Sequence, residues 1–191
     1  MRSTLTLILD PLIGLYALCF AMRLAMQWVR ADFRNPIVQF VLTVTNPLVL
    51  PLRRVAPPIY KIDTATLIIY LLMGWAAMTV LTALECFIKP GVITTFFLGC
   101  FYCVRLLLSA YTFIIIGHVI LSWIGQGNNN PSVLMISRLL DQLARPVMQP
   151  VQKIIPPIAG LDLSPIFLLI GLLIATVGLD VTSGQPRFTF G

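Results

Sequence analysis

The sequence predicts an all-α membrane protein. Four transmembrane helices are expected, arranged as two parallel helix–loop–helix repeats, each with a proline-rich interfacial helical loop. Three observations predict this. First, the chain is 58% hydrophobic and only 10% charged, with a mean hydropathy of +0.93. A soluble domain carries about a quarter charged residues, so there is too little polar side chain here to coat a globule. Second, four apolar runs reach the length of a hydrocarbon core. Third, the stretch NPLVLPLRRVAPPIYKID (46 to 63) returns 99 positions later as RPVMQPVQKIIPPIAGLD (145 to 162).

The spans come first. Residues 64 to 84 contain no charge, and at about 1.5 Å per residue that run crosses about 30 Å. Residues 106 to 124 carry no charged or imidazole side chain except His118, residues 163 to 179 carry no charge, and residues 11 to 29 carry only the charge of Arg23. The first span shares a pattern with the third at an offset of 95: Tyr16 with Tyr111, Arg23 with His118, Trp28 with Trp123, Asn35-Pro36 with Asn130-Pro131. A cleaved leader would share no pattern with an internal helix, so this span is read as retained.

The loops come next. Residues 131 to 155 alternate a polar set (Arg138, Asp141, Gln142, Arg145, Gln149, Gln152, Lys153) with an apolar set at helical spacing. That pattern describes a helix lying in the membrane interface. Residues 36 to 56 are more apolar, with a thin polar stripe of Gln39, Thr43 and Asn46. Pro146 and Pro150 are each expected to open a new helical segment, because a first-turn residue needs no amide donor. Pro-Pro and an acid follow, and Asp162-Leu-Ser-Pro165 reads as a helix start with Ser164 as N-cap and Pro165 at the first helical position. Asp162 is expected to close the turn through backbone amides or to pair with Lys153 or Arg145. The organisation is therefore repeat one at 1–85 (spans 11–29 and 64–84, interfacial helix 36–56), a linker and start of the third helix at 86–104, repeat two at 105–180 (spans 106–124 and 163–179, interfacial helix 131–155), and a tail at 181–191.

Each repeat has two spans, so both enter the membrane with one orientation. The loops hold eight Lys and Arg: Arg30, Arg34, Arg53, Arg54, Lys61, Arg138, Arg145 and Lys153. The opposite side holds four: Arg2, Lys89, Arg105 and Arg187. That bias puts the loops in the cytoplasm and both termini in the periplasm of a bacterial inner membrane. The net charge of +6 comes largely from these loops. No basic run is interleaved with aromatic residues, so nucleic acid is not an expected partner.

No catalytic constellation is legible. There is one His, and no carboxylate pair or metal cluster, so no enzyme, metal or cofactor is expected. Cys100-Phe-Tyr-Cys103 has redox spacing, but its apolar surroundings favour inert thiols. The intramembrane polar candidates are Arg23 and His118. Arg23 lies about one and a half turns from the span end, within snorkelling reach. The Arg53-Arg54 pair and Lys153 are placed to meet lipid phosphate or to stand as solvated headgroup-level anchors. Gly171, Ala175 and Gly178 on the last span, and Gly74 and Ala77 on the second, form faces for close helix packing, within the bundle or between protomers.

These residues resemble one family. NP-x3-P-x-RR-x2-PP at 46 to 58 and RPVMQPVQKIIPPIAGLDLSP at 145 to 165 look like the YggT family of small membrane proteins, whose plastid relatives are assembly factors for cytochrome b6f haem attachment. The resemblance covers residues 4 to 180. The second copy carries the family's PP-x-x-G-x-D-x-S-P pattern in full, at Pro156, Pro157, Gly160, Asp162, Ser164 and Pro165. The first departs from it, with Lys61, Ala65 and Thr66 in place of Gly, Ser and Pro. The family has no agreed biochemical activity. Membership implies osmotic-stress tolerance, membrane organisation linked to cell division, or assembly of a membrane complex. The expected interaction surface is then Arg53, Arg54, Pro57, Pro58, Asp63, Arg145, Lys153 and the second-copy motif. Its expected partners are the bilayer, anionic lipid, a membrane protein or a second copy of the chain. A non-enzymatic organising factor and a small oligomeric flux protein are both compatible with this pattern.

Overall fold

A computed structural model describes residues 4–57, 63–85, 91–124, 130–154 and 162–183. Six helices account for nearly all of them: α1 Thr4–Trp28, α2 Pro36–Arg53, α3 Thr64–Glu85, α4 Val92–Ile124, α5 Pro131–Ile154 and α6 Ser164–Ser183. No strand occurs among the described residues. Five helices are long and apolar enough to cross a membrane, and α5 is the exception. α2 was expected in the interface, yet its 18 residues and thin polar stripe satisfy the same requirement. α5 does not, because Arg138, Asp141, Arg145 and Lys153 charge one of its faces.

Helix boundaries follow local chemistry. α2 and α5 begin alike: a side-chain carbonyl on Asn caps the helix and Pro takes the first helical position. Asn35 Oδ1 accepts from the Ile37 amide at 2.9 Å, and its backbone carbonyl accepts from Gln39 at 3.0 Å. Asn130 repeats this with Ser132 at 3.0 Å and Leu134 at 3.1 Å. The repeated Asn-Pro is thus a repeated helix start. α4 begins at Val92 and runs 33 residues, about 50 Å, well beyond one hydrocarbon thickness of about 30 Å. α1 begins at Thr4 and passes through Pro11 without a break.

The prolines of the loops behave in the same way. Pro146 and Pro150 do not open new segments; both lie inside α5, as Pro47 and Pro51 lie inside α2. Pro47, Pro51 and Pro150 are exposed and Pro146 is half-buried. At a spacing of four they share one side of each helix, so the missing amides lie away from the packed face.

The chain divides into two compact units, Met1–Gln27 with Val41–Leu107, and Trp28–Phe40 with Leu108–Gly191. The first unit packs α1, α3 and the first half of α4 around Ala17, Ala77, Met78, Tyr102 and Leu106. Small residues let these helices approach closely, which is how apolar helices gain contact where lipid removes the hydrophobic drive. Gly74 and Gly99 mark the closest point. A Cβ on Gly99 would sit 2.6 Å from Trp75 Cα, and one on Gly74 would sit 2.6 Å from the Gly99 oxygen. Tyr70 donates to the Cys103 carbonyl at 2.6 Å, and Cys103 is buried with a free thiol.

In the second unit α5 buries Leu139, Leu143, Ala144 and Met148, and it packs along α6. α6 buries Leu168 and Leu172. Its face of Gly171, Ala175 and Gly178 is exposed, and nothing lies within 4 Å of a Cβ on either glycine.

Candidate functional site: two proline corners and a buried charge cluster

Each proline-rich loop ends in a corner that turns the chain into the next span. In the first unit α2 closes with the Val55 and Ala56 amides on the Leu52 carbonyl, at 3.0 and 2.9 Å. Pro57 is exposed, and Pro58 lies outside the described residues. The chain returns at Asp63, whose carbonyl accepts from the Leu67 amide at 3.1 Å and so starts α3. Thr64 ties the two arms together by donating to the Pro57 carbonyl at 2.7 Å.

The Asp63 carboxylate is engaged by side chains rather than by the helix amides. It is buried, and its Oδ2 accepts from Arg53 at 2.5 Å and from the Thr66 hydroxyl at 2.9 Å. The Arg23 guanidinium stands 3.8 Å from the same oxygen. Arg23 itself is only 2% exposed and donates to Thr45 Oγ1 at 2.6 Å and to Asn46 Oδ1 at 3.0 Å. It therefore does not snorkel. α2 carries two acceptors to it, and Asp63 supplies the counter-charge. Gln27, one turn on, donates to Thr66 at 3.4 Å. Arg23 Nε, Asp63 Oδ1 and Gln27 Oε1 are buried without a hydrogen-bond partner among the described residues. The cluster joins α1, α2 and the start of α3. Its two cations and one anion, in a chain built to span a membrane, tie these three elements to one another.

Burial pushes the Asp63 carboxyl up. The Arg53 and Thr66 hydrogen bonds and the Arg53 and Arg23 charges outweigh it, and hold the group below the ordinary carboxylate range. A depressed folded value means the stabilisation is complete above the unfolded pKa of about 3.9 and is lost as pH falls through the lower folded value. Thermal stability is expected to be flat from about pH 7 to pH 5 in this respect and to fall below about pH 4. The Asp63→Asn variant should lack that acid step, and an equal step in the variant would remove Asp63 as its source.

The second corner uses the same spacing with different strength. Gln152 donates to Asp162 Oδ2 at 2.8 Å, ten residues apart, as Arg53 and Asp63 are. Asp162 is exposed, and its Oδ1 accepts from the Ser164 amide at 2.9 Å. Burial, the largest single influence, raises its carboxyl, but hydrogen bonds from Ser164 and Gln152 and the nearby His118 together bring it below its ordinary range. The expected partners Lys153 and Arg145 are not used: Lys153 is exposed, and Arg145 pairs with Asp141 at 2.7 Å, one turn away. Ser164 is not the cap. The Leu163 carbonyl accepts the first helical amide, from Ile166 at 3.1 Å, so Ser164 and Pro165 lie buried within the first turn. Pro156, Pro157 and Gly160 lie outside the described residues.

Both corners end in a basic and an apolar residue that are exposed together. Arg54 precedes Val55, which is 81% exposed; Lys153 precedes Ile154, which is 80% exposed. Arg53, by contrast, is drawn inward to Asp63. Sequence reasoning grouped Arg53, Arg54 and Asp63 as one surface and missed the clamp. Its signal was present: an amide or guanidinium and an acid at the same ten-residue spacing, bracketing Pro-Pro twice. Among the described residues, no group of three or more metal-ligating side chains comes together.

The CCB3/YggT family model matches residues 2–84 and 97–182. The chain belongs to this family. It is 31% identical over 177 residues to the uncharacterized protein YggT of Escherichia coli (strain K12), covering 93% of this chain and 89% of that one. An uncharacterized Pseudomonas aeruginosa protein is 35% identical over 185 residues, covering 94% and 92%. A Haemophilus influenzae relative is 28% identical over 183 residues, 95% of each. No solved structure matches. Membership in this family and five membrane-length apolar helices describe a multi-pass membrane protein.

Proposed function

We propose that this CCB3/YggT-family chain is an organising or assembly factor of the bacterial inner membrane that catalyses no reaction. The observation that carries this reading is the pair of exposed tips, Arg54-Val55 and Lys153-Ile154. A cation beside an exposed aliphatic side chain, at the end of a helix, suits docking to a membrane-protein partner at headgroup level. The family model's match to two segments supports an architecture of two helix–loop–helix repeats with four spans. The excess of Lys and Arg in the loops supports cytoplasmic corners. The plastid branch of the family, with its assembly role, makes a client complex the natural partner. A role under osmotic stress fits a factor that maintains membrane complexes.

A second reading, a small oligomeric flux protein, is favoured by one observation, the exposed face of Gly171, Ala175 and Gly178 on α6. Small residues on an open helix face suit contact with a second copy. One experiment separates the two. A photo-crosslinking residue is placed at Val55 or at Ile154 in cells, and the adducts are identified. A discrete foreign membrane protein at both positions supports the assembly reading. Adducts to the chain itself support the oligomer, and adducts to lipid alone overturn the docking role.

A further inference from the structure

In the second unit a cleft of about 110 Å³ opens between the segment after α1 and the face of α5, lined by Asp32, Asn35, Met135, Arg138, Leu139 and Gln142. We propose that this cleft binds the headgroup of a zwitterionic phospholipid bearing a primary ammonium group. The ammonium would sit on Asp32, the phosphate on Arg138 and Gln142, and the linking carbons over Met135 and Leu139.

The cleft is built by the backbone. Arg30 turns the chain in the left-handed region, with φ 53°, a conformation uncommon outside glycine. The turn delivers Asp32, whose Oδ1 accepts from the Arg34 amide at 3.0 Å while its carbonyl accepts from Asn35 at 3.1 Å. That arrangement fixes the carboxylate in place. Asn35, 6% exposed, donates to the Met135 carbonyl at 3.1 Å and so fastens this segment to the first turns of α5. Arg138 and Gln142 follow at i and i+4 on one α5 face, both exposed. Arg138 has no hydrogen-bond or ion-pair partner among the described residues. An acid and a cation thus line one cleft without closing on each other.

Depth and charge select the occupant. Asp32 lies four residues past Trp28, the end of α1, and Trp28 and Phe33 are exposed. Exposed aromatic residues at a span end mark the headgroup level. A site with both signs disfavours a purely anionic headgroup, which Asp32 would repel. A trimethylammonium headgroup has the charges but no N–H to give the carboxylate. A primary ammonium donates up to three hydrogen bonds, and charge-assisted bonds are the stronger kind.

The test uses the full chain in mild detergent, with lipid occupancy read by native mass spectrometry. Dioleoyl phosphatidylethanolamine, phosphatidylcholine and phosphatidylglycerol are titrated in parallel. Wild type is expected to bind the ethanolamine lipid about tenfold more tightly than either competitor, the effect of one charge-assisted hydrogen bond. Asp32→Asn keeps the bond from Arg34 and removes only the charge, so it should abolish the preference. Arg138→Gln should weaken all three lipids. Both positions are exposed, and unchanged melting temperatures would show both variants folded. Equal affinity for the three lipids in wild type overturns the proposal, as does either variant that behaves as wild type. Free phosphoethanolamine binding as tightly as the lipid would assign the cleft to a soluble ligand and overturn the lipid occupant.

Discussion

Asp63→Asn is expected to destabilise the first unit by about 3–5 kcal/mol, the usual effect of removing one partner from a buried ion pair. The substitution isolates charge. The start of α3 rests on the Asp63 backbone carbonyl, which accepts from the Leu67 amide and is unchanged by the substitution. What disappears is the anion between Arg23 and Arg53. Arg53 is 42% exposed in its side chain and can turn toward solvent. Arg23 is 2% exposed and cannot. It keeps Thr45 and Asn46, which are neutral, and its charge is left buried without compensation. Arg23→Met should have a smaller effect, about 2–3 kcal/mol, because Asp63 retains Arg53 and the methionine fills the space with apolar atoms. The double variant should be less destabilised than the sum of the singles, with a coupling of about 1–3 kcal/mol. Thermal unfolding of all four proteins in one detergent checks this. A D63N protein within about 0.5 kcal/mol of wild type would show that the cluster does not hold the corner.

The cluster also shows what the sequence could and could not reveal. The starts of α2 and α5 at Pro36 and Pro131 were legible because proline suits a first helical position and the Asn-Pro pair occurs twice, whereas the cap expected at Ser164 was misplaced by one residue. The Pro-Pro pairs were singled out because their pattern occurs twice, and Pro58, Pro156 and Pro157 lie outside the described residues. The destination of Arg23 was not. Distance to the span end, about one and a half turns, suggested snorkelling. That one-dimensional measure omits Thr45 and Asn46, which reach Arg23 only once α2 lies against α1. The Arg53–Asp63 clamp was hidden for a related reason. Ten residues with two prolines between them have no fixed end-to-end geometry until the corner is built. The prolines inside α2 and α5 misled because the rule for them concerns the cost of a missing bond. It does not say which side of the helix bears that cost, and here three of the four face outward.

Gly99→Ala is expected to destabilise the first unit by about 2–3 kcal/mol, the upper part of the range for overpacking. The new Cβ would lie 2.6 Å from Trp75 Cα, 2.6 Å from Trp75 N and 2.8 Å from the Gly74 carbonyl carbon. All three are backbone atoms of α3, so no side chain can swing aside. The helices must separate, and separation weakens every contact along the crossing, including the Trp75–Thr95 and Tyr70–Cys103 hydrogen bonds. Dispersion falls steeply with distance, and in a membrane it is the main force between apolar helices. Gly171→Ala is the matched control. Nothing lies within 4 Å of its Cβ, and alanine is favoured over glycine in a helix by about 1 kcal/mol. That variant should melt at or above the wild-type temperature. If G99A and G171A melt together, α3 and α4 are not held at this crossing. If G99A alone falls, glycine at 99 sets the distance between α3 and α4, and with it the packing of Tyr102 and Leu106 beneath Ala17 of α1.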